Sequence, residues 1–124
     1  MYSDGRNKAR FKDVDLRGAK IAGHIFLRGA SFDGALMADH THVDGSLFME
    51  TKWVNNASFR DVFLTSTKIT GMIDMTGASF KNVDLKFAKI TGQIDMTGAS
   101  FDGKLDADAL QVGADFFYAR FALR

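Results

Sequence analysis

The chain has 124 residues, enough for one domain with a continuous core, because 46% of its residues are hydrophobic. Lys and Arg number 16 and Asp and Glu number 15, so the net charge is +1. This balance excludes the strong bulk field that draws a protein to nucleic acid or to an anionic membrane. Cysteine is absent, which excludes a disulfide and a thiolate ligand or nucleophile.

Residues 1–10 are polar and lack the apolar stretch of a secretory signal. No run of about 18 apolar residues follows that could span a bilayer. We therefore expect a cytoplasmic protein without membrane insertion. Residues 1–10 are predicted to form a polar N-terminal segment or cap, and residues 11–124 a single repeat domain.

A 21-residue repeat organises the chain. The segments KITGMIDMTGASF (68–80) and KITGQIDMTGASF (89–101) differ only at Met72 and Gln93, and KIAGHIFLRGASF (20–32) is a looser copy. Inside the repeat, large apolar residues recur every five residues and occasionally every six. This period fits neither an α-helix nor a long strand, but it is typical of a chain that turns a corner after each short strand. Four sides then close one coil, and successive coils stack about 4.8 Å apart.

Stacked coils place the apolar residues in four inner columns. The first is predicted to contain Phe11, Phe32, Trp53, Met75, Met96 and Phe117, and the second Leu16, Ala38, Phe59, Phe80 and Phe101. The third contains Ile21, Val43, Leu64, Leu85 and Ala107, and the fourth Leu27, Phe48, Ile69, Ile90 and Val112. A single extra residue is expected near 55–56 or 71–72. The pattern predicts an all-β fold, a right-handed quadrilateral parallel β-helix (solenoid) of about five coils.

Short motifs in register carry a family resemblance. They are VDLRG (14–18), AKIAG (19–23), ASFDG (30–34), ASFKN (78–82), VDLKF (83–87), AKITG (88–92) and ASFDG (99–103). The chain therefore resembles the bacterial pentapeptide-repeat family, A-(D/N)-L-x-x, in a variant with 21-residue coils. Six-residue sides and the segments at 34–49 and 103–118 depart from the family's strictest form. The resemblance implies a non-catalytic β-helix. It also implies an alternative, because the best understood members mimic a DNA duplex and bind topoisomerases.

Polar residues that could carry chemistry are predicted to lie on the solvated surface. His40 and His42, beside Asp39 and Asp44, point outward if Ala38, Thr41 and Val43 point inward, and a clear third metal ligand is missing. The carboxylate rows are Asp84, Asp106 and Asp108 on one side and Asp74 and Asp95 on another. Paired carboxylates can act as acid and base, so an enzyme with a surface acidic site stays an alternative. We expect no catalytic residue, no metal and no cofactor.

Apolar residues at outward positions are the candidate interface. One set is predicted to lie on two adjacent sides and comprises Phe26, Leu47, Met49, Phe63 and Phe87. The other crowds the last coil and comprises Phe116, Phe117, Tyr118, Phe121 and Leu123. A solenoid end without a polar cap exposes core and strand edge, so we expect a protein partner or a homodimer through the C-terminal coil.

The sequence thus favours a non-catalytic structural or protein-interaction module built as a β-helical rod. A DNA-mimicking topoisomerase-binding protein is the second hypothesis. Such a mimic needs a strongly negative surface, and the net charge of +1 argues against it. We expect no nucleic-acid partner.

Overall fold

The computed structural model describes residues 9–52 and 56–113, together with the backbone of two further strands at 116–117 and 122–123. All regular structure in these residues is β-strand, and the strands stack in parallel as a solenoid of about five turns. The predicted all-β solenoid is confirmed. In this part of the chain no helix is long and apolar enough to cross a membrane.

The first two coils have four short strands each. Coil one contains β1 (Arg10–Phe11), β2 (Val14–Asp15), β3 (Lys20–Ile21) and β4 (Ile25–Phe26). Coil two contains β5 (Ser31–Phe32), β6 (Leu36–Met37), β7 (His42–Val43) and β8 (Leu47–Phe48).

In the next two coils the first two sides merge into one six-residue strand. Coil three contains β9 (Ser58–Phe63), β10 (Lys68–Ile69) and β11 (Ile73–Asp74), and coil four β12 (Ser79–Asp84), β13 (Lys89–Ile90) and β14 (Ile94–Asp95). Coil five contains β15 (Ser100–Phe101), β16 (Leu105–Asp106), β17 (Gln111–Val112) and β18 (Phe116–Phe117). Strand β19 (Ala122–Leu123) pairs with β15 and begins a further turn.

Equivalent strands of successive coils pair and define four faces. Face 1 comprises β1, β5, the first part of β9 and of β12, β15 and β19, and face 2 comprises β2, β6, the last part of β9 and of β12, and β16. Face 3 comprises β3, β7, β10, β13 and β17, and face 4 comprises β4, β8, β11, β14 and β18.

A column of phenylalanines fills the core behind face 1. Its members, one from each coil, are Phe11, Phe32, Phe59, Phe80 and Phe101. Neighbouring ring centroids lie 5.1–5.3 Å apart, close to the strand spacing of about 4.8 Å. The parallel register therefore places each ring on the next, and this offset stacking adds to the gain from burial.

The turn between coils two and three is longer than predicted. Equivalent residues on other neighbouring coils are 21 or 22 apart, but Ser31 pairs with Ser58 and Val43 with Ile69, at separations of 27 and 26. Coil two therefore carries four to six extra residues rather than one. Residues 53–55 of this insertion, including Trp53 of the predicted first column, lie outside the described residues.

The insertion corrects all four predicted columns, because none of them continues across the join between coils two and three. Two predicted neighbours also fail within one side of the join: Phe48 pairs with Phe26 rather than following Leu27, and Phe117 pairs with Asp95 rather than following Met96. Ile21 and Val43 continue to Ile69, Ile90 and Val112 rather than to Leu64. The other core columns in the corrected register are Leu16, Ala38, Leu64, Leu85 and Ala107; Val14, Leu36, Val62, Val83 and Leu105; Ile25, Leu47, Ile73 and Ile94; and Leu27, Met49, Met75 and Met96.

Two kinds of corner let the coils stack closely. Between faces 3 and 4, a Cβ at Gly92 would clash with the carbonyl oxygen of Gly71 on the coil before, so glycine is required by the close approach. Between faces 2 and 3, each coil makes a β-turn whose third residue has a φ of +57° to +72°. The residues at this position are Gly18, His40, Ser66, Phe87 and Ala109.

Replacing Phe80 by Ala should lower the free energy of unfolding by about 3–5 kcal/mol, the usual cost of deleting a buried aromatic ring. Phe80 is 2% exposed and stacks on Phe59 and Phe101, so both contacts are lost together. Urea titration measures the change. The exposed neighbour Lys81→Ala is the control and should change stability by less than about 0.5 kcal/mol. Equal losses in the two variants would contradict this core register.

Candidate interaction surface

Two large apolar side chains are exposed in the part of the chain that the structure describes. They are Phe63, at 37%, and Phe87, at 64%, and both belong to the predicted interface set. Phe63 points outward from face 2, in the row that also contains Met37 and Asp84. Phe87 lies in the next coil, at the corner between face 2 and face 3.

The backbone conformation of Phe87 is unfavourable for its side chain. Phe87 has a φ of +59° in a turn closed by the N–H of Ala88, which donates to the carbonyl oxygen of Leu85 at 3.1 Å. Glycine adopts this left-handed region freely, whereas other residues lose roughly 1–2 kcal/mol there. Because the ring is largely exposed, burial offsets little of that cost. An exposed aromatic residue held in this way indicates a role other than stability.

An open groove of about 340 Å³ follows face 2 beside Phe63. At its floor Lys86 Nζ lies 3.3 Å from Asp84 Oδ2 and 3.8 Å from Asp106 Oδ2. The hydrogen bond and charge of Asp84, and then the charge of Asp106, raise the pKa of Lys86. The ammonium group therefore stays protonated at neutral pH, which argues against a general-base role for it.

The predicted acidic rows are engaged with the backbone. In each case a carboxylate oxygen accepts the N–H of the residue two positions later, at 3.0–3.1 Å, which is an Asx-turn. The residues that do so are Asp15, Asp74, Asp84, Asp95 and Asp106. Asp108 is exposed and donates its own N–H to Asp106. The rows thus hold the corners of the coils in shape, a role that the sequence pattern did not reveal.

A cluster of aromatic and charged side chains covers face 4 in coils one and two. This aromatic cluster consists of His24, Phe26, Arg28, Phe48 and Glu50. The rings of Phe26 and Phe48 stack at 5.1 Å with an interplanar angle of 7°, and the Arg28 guanidinium carbon lies 4.8 and 4.4 Å from their centroids. Arg28 Nε donates to Glu50 Oε2 at 3.1 Å. Cation–π contact and the ion pair together hold Arg28 against the rod.

The structure corrects two members of the predicted interface. Leu47 and Met49 were expected to point outward, but they are 2% and 0% exposed. Leu47 pairs with Ile25 on the coil before and therefore points into the core, and the alternation along β8 turns Phe48 outward instead. Phe26 does point outward and is half-buried within the aromatic cluster.

Glu50 is the buried carboxylate of the aromatic cluster. Burial raises its pKa, with smaller opposing effects from its own backbone N–H and from Arg28. Its second oxygen, Oε1, is buried and accepts no hydrogen bond from the residues that the structure describes. The ionised form is therefore less stable in the fold than in water.

His40 and His42 lie on the outer surface, as predicted. His40 and His42 are exposed, while Thr41 and Val43 are buried at 1% each. His42 Nε2 lies 3.3 Å from Asp44 Oδ1. Among the described residues, no group of three or more His, Asp and Glu side chains is arranged to hold a metal ion.

The C-terminal part of the predicted interface falls largely outside the described residues. Phe116 and Phe117 form β18 and Leu123 lies in β19, and their side chains lie outside the described part of the structure. Tyr118 and Phe121 lie wholly outside the described residues. The homodimer through this coil remains a prediction.

Sequence reasoning missed His24, Arg28 and Glu50 of the aromatic cluster. A usable signal was present, since Arg28 and Glu50 are opposite charges 22 residues apart, which is one coil.

In comparisons with protein-family models, with curated proteins and with solved structures, the chain has no match.

Replacing Phe87 by Gly should leave the free energy of unfolding unchanged or raise it by up to about 1 kcal/mol, because the strain at positive φ is removed. Ser66→Gly removes the same strain at the equivalent corner of coil three and is the matched control. Chemical denaturation of both variants measures the effect. A loss of more than about 1 kcal/mol for Phe87→Gly would show that the ring supports the fold.

Replacing Glu50 by Gln should stabilise the protein at pH 7 but not at pH 4. The pKa of Glu50 is raised in the folded state, so the folded protein binds more protons than the unfolded chain just above the ordinary value of about 4.3. The stability that Glu50 contributes is therefore fully present below its ordinary pKa of about 4.3 and is lost as the pH rises through its raised pKa in the folded state. Thermal melts from pH 4 to pH 7 test this, with exposed Asp102→Asn as control. A stability difference between parent and Glu50→Gln that does not vary with pH would refute it.

Proposed function

We propose that this chain is a non-catalytic protein-interaction module, a β-helical rod that presents Phe87 to a protein partner. The supporting observation is the combination of 64% exposure with a φ of +59° at a phenylalanine. Neither property stabilises the monomer, whereas an aromatic side chain fixed at a corner can fill a pocket on another protein. Aromatic anchors of this kind contribute a large share of the binding energy at interfaces.

Phe63 extends the proposed contact. It lies one coil earlier on face 2, next to the groove that contains Lys86 between its carboxylates. Apolar side chains beside a charged, open groove match the usual composition of an interface, an apolar centre with a polar rim. We propose that Phe87 is the anchor and that Phe63 lies toward the rim.

A pentapeptide-repeat relationship is part of the proposal. Seven pentapeptides of the A-(D/N)-L-x-x type and coil steps of 21 and 22 residues support it. Members of that bacterial family generally lack catalytic activity, in keeping with a binding role in the cytoplasm. The alternative of a topoisomerase-binding DNA mimic has less support, because lysines occupy one face of the rod in register.

The experiment replaces Phe87 by the photo-cross-linker p-benzoylphenylalanine and compares it with the same replacement at Asp102, an exposed position directly after β15 of face 1. We expect a specific adduct with one protein of the source cell from position 87 only. Binding of that purified protein should then weaken at least roughly tenfold in Phe87→Gly and stay within about twofold in Ser66→Gly. Unchanged binding by Phe87→Gly would overturn the proposal.

Light scattering separates a partner protein from a second copy of the chain. A mass of about twice 13.7 kDa that returns to 13.7 kDa in Phe87→Gly would identify the partner as a second copy. A dimer that survives Phe87→Gly but is lost in Phe121→Asp would instead support the C-terminal homodimer and remove Phe87 from the interface. Inhibition of gyrase supercoiling by the purified chain would favour the DNA-mimic hypothesis.

A further inference from the structure

Face 3 carries a row of basic residues along the rod. The outward residues of β3, β7, β10 and β13 are aligned by the strand pairing and are Lys20, His42, Lys68 and Lys89. All four are exposed. The row continues on β17 with the neutral Gln111. Parallel register therefore places three lysines and one histidine on one line, about 4.8 Å apart at each coil.

The lysines of this row form no salt bridge in the part of the chain that the structure describes, and Asp44 is the exposed carboxylate in the neighbouring row of that part. Among the described residues, no carboxylate forms a salt bridge with Lys20, Lys68 or Lys89, whereas Lys86 at the neighbouring corner bridges two. His42 has a partner in Asp44 at 3.3 Å. Like charges directly opposite each other on adjacent strands destabilise a sheet. The row thus creates a positive stripe on one face of a chain whose net charge is only +1.

The outward row beside the stripe is polar and contains Asp44, Thr70 and Thr91 in successive coils. Thr70 and Thr91 are exposed two residues after Lys68 and Lys89, and the corner that follows consists of Gly71 and Gly92. The N–H groups of Thr70 and Thr91 donate to the previous coil at 3.0 and 2.9 Å, so the rows are fixed relative to each other. A ligand that lies along this face therefore meets glycine at the edge after the threonines, whereas Phe87 lies at the opposite edge.

We infer that face 3 binds an extended, linear acidic polysaccharide that runs parallel to the axis of the rod. Carboxylates repeat along a linear polyuronate as the basic side chains repeat along the stripe, so several charge contacts can form along the axis of the rod. The threonine hydroxyls are placed to bond sugar hydroxyl groups. This inference is independent of the role proposed for Phe87.

The composition of the stripe favours a polysaccharide over a nucleic acid. Proteins that bind single-stranded nucleic acid stack its bases on aromatic side chains, and the described outward positions of face 3 contain no Phe, Tyr or Trp. They contain no Arg either, the residue that pairs phosphate with two parallel hydrogen bonds. A single line of cations also fits one flexible chain better than the two strands of a duplex.

The test measures binding of polygalacturonate to the intact chain by calorimetry at low salt and at 0.15 M salt. Fully methyl-esterified polygalacturonate, which has the same backbone without charge, and poly(dT) are the comparison ligands. We expect binding of the charged polymer, no binding of the ester, and weaker binding of poly(dT). Binding should weaken with salt, since charge contacts displace counterions.

Paired variants locate the site. Lys68→Gln with Lys89→Gln should weaken polygalacturonate binding roughly tenfold or more, because two adjacent cations are lost. Lys81→Gln with Lys104→Gln removes the same charge from exposed positions off face 3 and should change affinity less than about twofold. Lys68→Arg with Lys89→Arg keeps the charge and should retain binding.

Three results would overturn the inference. They are equal losses in the two Gln pairs, binding of the methyl ester as tight as that of the acid, and tighter binding of poly(dT). Circular dichroism melts of all variants accompany the titrations. If the variant with Lys68→Gln and Lys89→Gln proves unfolded, the other two double variants still test the inference. Loss of binding in Lys68→Arg with Lys89→Arg, or in Lys81→Gln with Lys104→Gln, would contradict the assignment of the site to face 3.

Discussion

In-register stacking of parallel strands is the constraint on which this structure depends. Along the strands, backbone N–H groups of one coil donate to carbonyl oxygens of a neighbouring coil, and equivalent side chains follow at the same spacing. Inside the rod, this register stacks aromatic rings on one another in the phenylalanine column and aliphatic side chains on one another in the neighbouring columns. Each coil is stabilised mainly by its neighbours, so the core is continuous along the axis although each strand is short.

The same constraint acts on the outer surface, where like residues meet without the benefit of burial. The aspartate rows tolerate this because each carboxylate accepts a turn N–H, and on face 2 Lys86 lies between two of them. The lysines of face 3 have neither compensation. The contrast between the two kinds of row is why the first is structural and the second is a candidate ligand surface.

Local exceptions to the repeat coincide with the other surface features. The insertion after coil two begins beside the aromatic cluster, in which Glu50 carries a raised pKa. Phe87 occupies a corner where Gly18, His40, Ser66 and Ala109 stand in other coils, and among these residues it is the one with a large, exposed apolar ring. A repeat protein gains stability by uniformity, so residues that depart from the pattern without adding stability are the best candidates for function.

The sequence by itself determined the fold class, the period, four sides to each coil and about five coils, because apolar spacing of five is compatible only with a chain that turns at every side. It also placed His40, His42, Phe63 and Phe87 on the outside, since alternation within a side is local. The strand register across the insertion between coils two and three was decided by the tertiary structure. Every side of a coil presents an apolar residue to the core, so a register shifted by one whole side would leave all columns apolar. Only the backbone pairing shows that Phe32 is followed in its column by Phe59 and not by Trp53. The inward or outward direction of Leu47, Phe48 and Met49 likewise depends on strand pairing between coils, which no pattern within one coil contains.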